Sequence, residues 1–325
     1  MDQGFSNLPI SDAPRYDKRR AFAKQANALL LITLLVYVTM SVILEVLAIL
    51  FGGVLPILNS TLFHMVALHA SLVTPSVIYI LTKKLSLRDF MHFRMLNPVT
   101  LLLVIVFTYV SYPIIALCNQ ISLLFADNVI DNTMESLFSQ YPIGVCIIVV
   151  ALIPCFVEEF IFRGALYHSY KKSGAIKAML LTALLFGLFH MNLNQMSYAV
   201  VIGALFVCLN EATGSIISSI LMHFLINATS VVSSGIYYKQ HGNLDVSSAE
   251  AMNPYMTIAV LAVMSAFSLA FLFLLLWGMA AIEQRMPAVK SLWKGRGGSG
   301  KILSACLVIA LVICISLMLL FELAS

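Results

Sequence analysis

The residues best suited to chemistry lie in one stretch, Val157-Glu158-Glu159-Phe160-Ile161-Phe162-Arg163-Gly164. Two adjacent carboxylates and an arginine sit there inside an otherwise apolar run. A charge at membrane depth costs roughly 2.5–3.5 kcal/mol on insertion scales and usually faces a cavity or a partner. Glu159 and Arg163 are four residues apart, so on a helix they share a face and can pair. Glu158 points about 100° away from Glu159 and has no obvious counter-ion in its own helix. A buried carboxylate of that kind suits general-base chemistry near neutral pH. The competing reading is a charge cluster at a helix end whose side chains snorkel to water.

Two further polar groups interrupt apolar runs. One is Phe186-Gly187-Leu188-Phe189-His190, followed by Asn192, Asn194 and Gln195. The other is Gly214-Ser215 followed by His223 and Asn227, which are four apart and project from one face. A lone intramembrane histidine is more often a helix–helix hydrogen-bond partner than a reactive group, but here three successive segments each carry a polar face. A helix over 196–211 spans about 24 Å, so the Asn192–Gln195 turn is expected to stop short of the far surface and line a cavity. That places Glu158, His190 and His223 at similar depths. Other polar positions read more plainly. Glu45 is an interface residue at the outer end of the first helix. His64 and His69 are five apart and do not form a metal pair. His168 lies at a membrane boundary and His241 in a loop. Asn227-Ala228-Thr229 is a glycosylation sequon in an apolar segment. Cys118, Cys146, Cys155, Cys208, Cys306 and Cys314 are dispersed, so neither a disulfide framework nor a thiolate metal site is indicated.

The elements that must position these groups follow from composition. Of 325 residues, 61% are hydrophobic and 10% charged, with mean hydropathy +0.96. A soluble domain is about 25% charged, so soluble, disordered, collagenous and nucleic-acid-binding classes are excluded. The expected fold is an all-α polytopic bundle of 8–9 transmembrane helices. A crossing needs about 20 apolar residues, which gives spans at 26–50, 55–81, 97–125, 142–170, 175–191, 196–211, 215–237, 254–282 and 301–323. The segments 82–96, 126–140 and 283–300, with its Gly295–Gly300 patch, read as loops. The chain divides into a polar, basic tail (1–25), N-terminal helices (26–141), a polar-faced core (142–237) and C-terminal helices (238–325). With a cytoplasmic N-terminus, 18 of the 19 Lys and Arg residues fall on the inside and only Lys239 outside, as loop charge asymmetry demands.

Glu158-Glu159-x-x-x-Arg163, Phe186-x-x-x-His190 and His223-x-x-x-Asn227 resemble, in order and placement, the three motifs of the CPBP family. That family comprises type II CAAX prenyl endopeptidases and bacterial Abi proteins of bacteriocin processing and self-immunity. The Thr213-Gly214-Ser215 lead-in is typical of its bacterial members. The resemblance covers about 142–237. It implies an intramembrane endopeptidase of the cell membrane with its active site toward the cytoplasmic half of the bilayer. Glu158 would activate water, with His190 helping to hold it. His223 and Asn227 would stabilise the oxyanion, and Glu159, Arg163 and Phe186 would support the site. The partners implied are the lipid bilayer and a membrane-associated substrate, whether CAAX protein, bacteriocin or signal peptide. Glu158, His190 and His223 are also a zinc ligand set, although the resemblance favours glutamate chemistry with no required cofactor. HExxH, GxGD and GxSxG patterns are absent. The competing classes are a non-proteolytic scaffold or self-immunity protein, and a small proton-coupled transporter. Against the latter, no inverted repeat is evident.

Overall fold

A computed structural model describes residues 13–84, 86–87, 91–126, 128, 130–244, 253–293 and 302–324. Among them are eleven helices and no strand: α1 (Ala13–Phe51), α2 (Thr61–Lys83), α3 (Pro98–Ser122), α4 (Ile130–Gln140), α5 (Ile143–Lys171), α6 (Ala175–Leu188), α7 (Leu193–Thr213), α8 (Ile217–His241), α9 (Pro254–Ile282), α10 (Met286–Trp293) and α11 (Ala305–Ala324). Eight of these are long and apolar enough to cross a membrane, and the chain is a polytopic helical bundle. The Gly295–Gly300 patch, Arg88, Lys294, Arg296 and Lys301 lie outside the described residues, as do the side chains of Arg15, Lys18, Arg19 and Arg20.

Several boundaries differ from the sequence expectation. The exception among the nine expected spans is α6, whose 14 residues reach only about 21 Å. Its partner α7 is longer than expected, with 21 residues. Hence the Asn192–Gln195 turn does not sit on a shortened helix, and its polar groups are spent on structure. Asn192 caps α7 by accepting from Gln195 N at 2.7 Å. Asn194 donates to Asn119 Oδ1 and Ser122 Oγ on α3. Two stretches expected as loops contain short helices, α4 and α10. Each buries apolar residues three apart, Met134 with Leu137 and Val289 with Leu292, because an amphipathic segment can cover one stripe of the bundle. The first helix begins at Ala13 rather than 26.

In a bilayer the helices associate through close van der Waals packing, which favours small residues at the contacts. The α6–α7 hairpin shows this directly. A Cβ on Gly187 would meet Val200 Cγ2 at 2.5 Å, and one on Gly203 would meet Ala183 Cα at 3.0 Å. α7 also packs on α3 and α8, α8 packs on α5, and the α1–α2 pair closes against α5. α5 departs from ideal helix over Ile147–Leu152 and Phe160–Tyr167, where it widens to π-helical turns. Such insertions recur at functional sites. Pro154 lies between the two and has no N–H to give the carbonyl four residues back.

Candidate active site

Among the described residues, Arg163 is the largest fully buried side chain. Its Nη1 donates to Glu159 Oε1 at 2.7 Å and its Nη2 to the Gly203 carbonyl at 3.2 Å. The guanidinium lies between the Phe186 and Phe206 rings, 4.4 and 4.7 Å from their centroids. A buried charge survives only when paired and hydrogen-bonded, and stacking on two aromatic faces adds cation–π attraction. Gly203 is the residue that permits this. A Cβ there would stand 3.3 Å from Arg163 Nη2 and from Phe186 Cδ1.

The pairing of Glu159 with Arg163 leaves the two adjacent carboxylates in different states. Glu159 is sealed, at 0% side-chain exposure, whereas Glu158 is 16% exposed. Among the described residues, Oε2 of Glu158 has no hydrogen-bond partner. His223 of α8 bridges the pair. Its Nδ1 is 3.4 Å from Glu159 Oε1, and its Nε2 is 3.8 Å from Glu158 Oε2. Because a carboxylate only accepts, Nδ1 carries the proton in that contact and Nε2 is left to face Glu158. The ring is held by stacking on Phe206, with centroids 5.1 Å apart.

His190, at the end of α6, bonds through Nδ1 to the Phe186 carbonyl at 2.7 Å and packs edge-on against the Phe186 ring at 5.0 Å. It lies close enough to Glu158 to interact with it electrostatically. Glu158, Glu159, Arg163, Phe186, His190 and His223 thus converge on one site. Asn227 sits one turn beyond His223, where its Nδ2 donates to the Val150 carbonyl at 3.1 Å. That carbonyl is the one four residues before Pro154.

Three residues of this neighbourhood carried no local signal. His69 of α2 places Nε2 3.9 Å from Glu158 Oε1. Tyr37 of α1 faces the same carboxylate, and Phe206 closes the aromatic sandwich. His64 and His69 do not meet each other, and the partner of His69 lies on another helix. His64 instead bonds to the Leu58 carbonyl and stands 4.0 Å from Glu45. His168 is not an idle boundary residue: it stacks on His92 at 3.7 Å and bonds to the Arg163 carbonyl.

Zinc requires three or four ligand atoms within about 2.0–2.3 Å of one point. Among the described residues, no three His, Cys, Asp or Glu side chains form such a group. His69 and His223 instead approach different oxygens of Glu158, so the arrangement does not fit a preformed zinc shell.

Residues 141–229 match the family described as type II CAAX prenyl endopeptidase Rce1-like. No curated protein and no solved structure matches the chain. The matched segment is well under half of the chain, yet it contains Glu158, Glu159, Arg163, Phe186, His190, His223 and Asn227; His69 and Tyr37 lie before it. The part of the chain that supplies both carboxylates and the arginine-centred cage is thus the part that matches the CAAX protease family.

Proposed function

We propose that this chain is an intramembrane endopeptidase in which Glu158 activates water against a peptide bond of a membrane-tethered protein. The family match indicates a protease, and its description favours a CAAX-type substrate over a bacteriocin or signal peptide. The observation that carries the mechanism is the asymmetry of the two glutamates. Glu159 is neutralised by Arg163 and sealed, so it serves the cage. Glu158 keeps 16% side-chain exposure and no arginine pairs with it; its Oε2, like that of Glu159, makes no hydrogen bond among the described residues, so Glu158 is the carboxylate left to take a proton. In the first step water loses a proton to Glu158 as its oxygen attacks the scissile carbonyl. The oxyanion formed is met by the Asn227 amide and, when His223 carries a second proton on Nε2, by that N–H as well, while His190 holds the water. The C–N bond then breaks, and the proton passes from Glu158 to the leaving amine.

Depth and charge support the placement. At 1.5 Å per residue, Glu158, His223 and His69 lie between about 12 and 21 Å in from Lys171, Ser215 and Lys83. These ends meet one another. Arg94 hydrogen-bonds with Ser215 and pairs with Glu283, Lys171 pairs with Glu211, and Lys172 lies over the Phe22 ring of α1. We assign this end to the cytoplasm on loop charge, with the site buried in the hydrocarbon layer and substrate entering from that side.

The test compares membranes holding wild-type and Glu158→Gln protein by mass spectrometry of newly formed peptide termini, with and without a zinc chelator. New termini confined to wild type and resistant to the chelator are expected. Identical termini from two equally folded proteins would overturn the protease reading in favour of a scaffold, and chelator sensitivity would overturn the metal-free mechanism.

A further inference from the structure

His69 lies on α2, outside the segment that matches the protease family. Its Nδ1 is engaged with the Met65 carbonyl at 2.8 Å. A carbonyl only accepts, so Nδ1 carries the proton and the ring is locked to its own helix. That lock turns Nε2 toward α5, where it stands 3.9 Å from Glu158 Oε1. The other oxygen of the same carboxylate is approached from the opposite wall by His223 Nε2, at 3.8 Å. Glu158 is therefore held between two imidazoles, one from the core and one from the N-terminal hairpin. The position is not that of an ordinary packing residue. His69 and Glu158 retain 15% and 16% side-chain exposure, so both border space that a substrate can reach, whereas Leu72, three residues on, is buried in the core.

We propose that His69 is a positioning residue for Glu158, and that the site is complete only when α2 is docked on α5. The proposal rests on the protease reading above. With a second proton on Nε2, the His69 ring is a cation that draws Oε1 toward α2 and so sets the orientation of the carboxylate relative to the oxyanion donors; without it, the carboxylate can turn about its last torsion and lose that alignment. The groups facing this position are Glu158 of α5, Tyr37 of α1, His190 of α6 and His223 of α8.

The experiment uses the purified full chain in lipid nanodiscs with a quenched fluorescent, farnesylated CAAX peptide, comparing wild type, His69→Ala, His69→Gln, His64→Gln and Glu158→Gln. For His69→Ala, kcat is expected to fall about 10- to 100-fold, the range set by one lost contact to a charged group. KM should stay within about twofold and the unfolding temperature should be little changed. Free imidazole should restore part of the lost kcat in a saturable way, which a packing defect would not allow. His69→Gln should fall less than His69→Ala, and it carries the comparison if the alanine variant does not fold. His64→Gln, on the same helix but beside Glu45, should keep wild-type kcat. Wild-type kcat in both His69 variants would overturn the proposal. So would a loss that tracks unfolding, ignores imidazole and is matched by His64→Gln. If Glu158→Gln cleaves as well as wild type, the protease reading itself fails, and the positioning role with it.

Discussion

The Glu159–Arg163 pair offers the sharpest quantitative test of the fold around the site. Both side chains are fully buried, and Arg163 also serves the Gly203 carbonyl and two aromatic faces. Replacing Arg163 with Met, close in length but uncharged, strands the Glu159 carboxylate and removes the donor to Gly203. Loss of one member of a buried pair costs about 3–5 kcal/mol. At roughly 1.5 °C per kcal/mol for a chain of 325 residues, the unfolding midpoint should drop by roughly 4–8 °C. The Glu159→Gln/Arg163→Met double variant removes both charges, so much of that loss should return, with a coupling energy of about 2 kcal/mol or more. Arg163→Lys should resemble the Met variant more than wild type, because a point charge cannot reach Glu159 and Gly203 together in the guanidinium's planar fork. The assay is thermal unfolding of purified protein in one detergent, followed by tryptophan fluorescence and by recovery of the monomer peak. A Met variant within about 3 °C of wild type, or a double variant at the sum of the two singles, would refute the reasoning.

Glu158→Gln should reduce peptide cleavage by about 10²–10⁴-fold without lowering the unfolding midpoint, since no hydrogen bond to its Oε2 is lost; a parallel loss of stability would move Glu158 into the cage. Gly203→Ala should cost about 1–3 kcal/mol through overpacking, because Ala183 backbone and the Arg163 head both stand in the way. Gly53→Ala, with nothing within 4 Å of its Cβ, is the control in the same unfolding assay. Asn227→Asp should damage both stability and cleavage more than Asn227→Ala, since a carboxylate cannot donate to Val150 and would repel an oxyanion. At the bundle's edge, burial raises the Asp131 carboxyl above its usual range, the Asn128 amide working against it. A raised acid favours folding while protonated and loses that contribution as pH rises through its folded value, so Asp131→Asn should raise the unfolding midpoint at pH 7 and have no effect near pH 3.

What the sequence made legible was whatever depends on near neighbours. The Glu159–Arg163 pair is an i, i+4 relation within α5, and the structure closes it at 2.7 Å. The His223–Asn227 face is likewise set by one helix. The helices themselves follow from apolar run length, which needs no tertiary information. Hidden were the relations between distant segments. His69 meets a partner 89 positions away, and nothing in the spacing of α2 distinguishes it from His64. Gly203 and Phe206 read as ordinary membrane-helix residues until Arg163 is placed beside them. The amphipathic helices α4 and α10 were obscured by polar residues that suited a loop equally well. The short α6 was blurred into a crossing because Phe189 and Met191, on either side of His190, carry apolar character past the point where the backbone turns, with Met191 in the left-handed region.

The geometry of Asn227 reconciles a structural demand with a chemical one. Pro154 interrupts the hydrogen-bond ladder of α5 just before the two glutamates, depriving the Val150 carbonyl of its α-helical donor. In a bilayer such a carbonyl must find a substitute, and the Asn227 amide provides it from α8. A primary amide carries two N–H groups. One bond to Val150 therefore fixes the plane of the Asn227 side chain and leaves the second N–H with a defined direction. An oxyanion donor is effective to the extent that it is oriented before the charge develops. The proline-broken turn thus does for Asn227 what the Glu159 contact does for His223: it uses one hydrogen-bonding position of the side chain to aim the other.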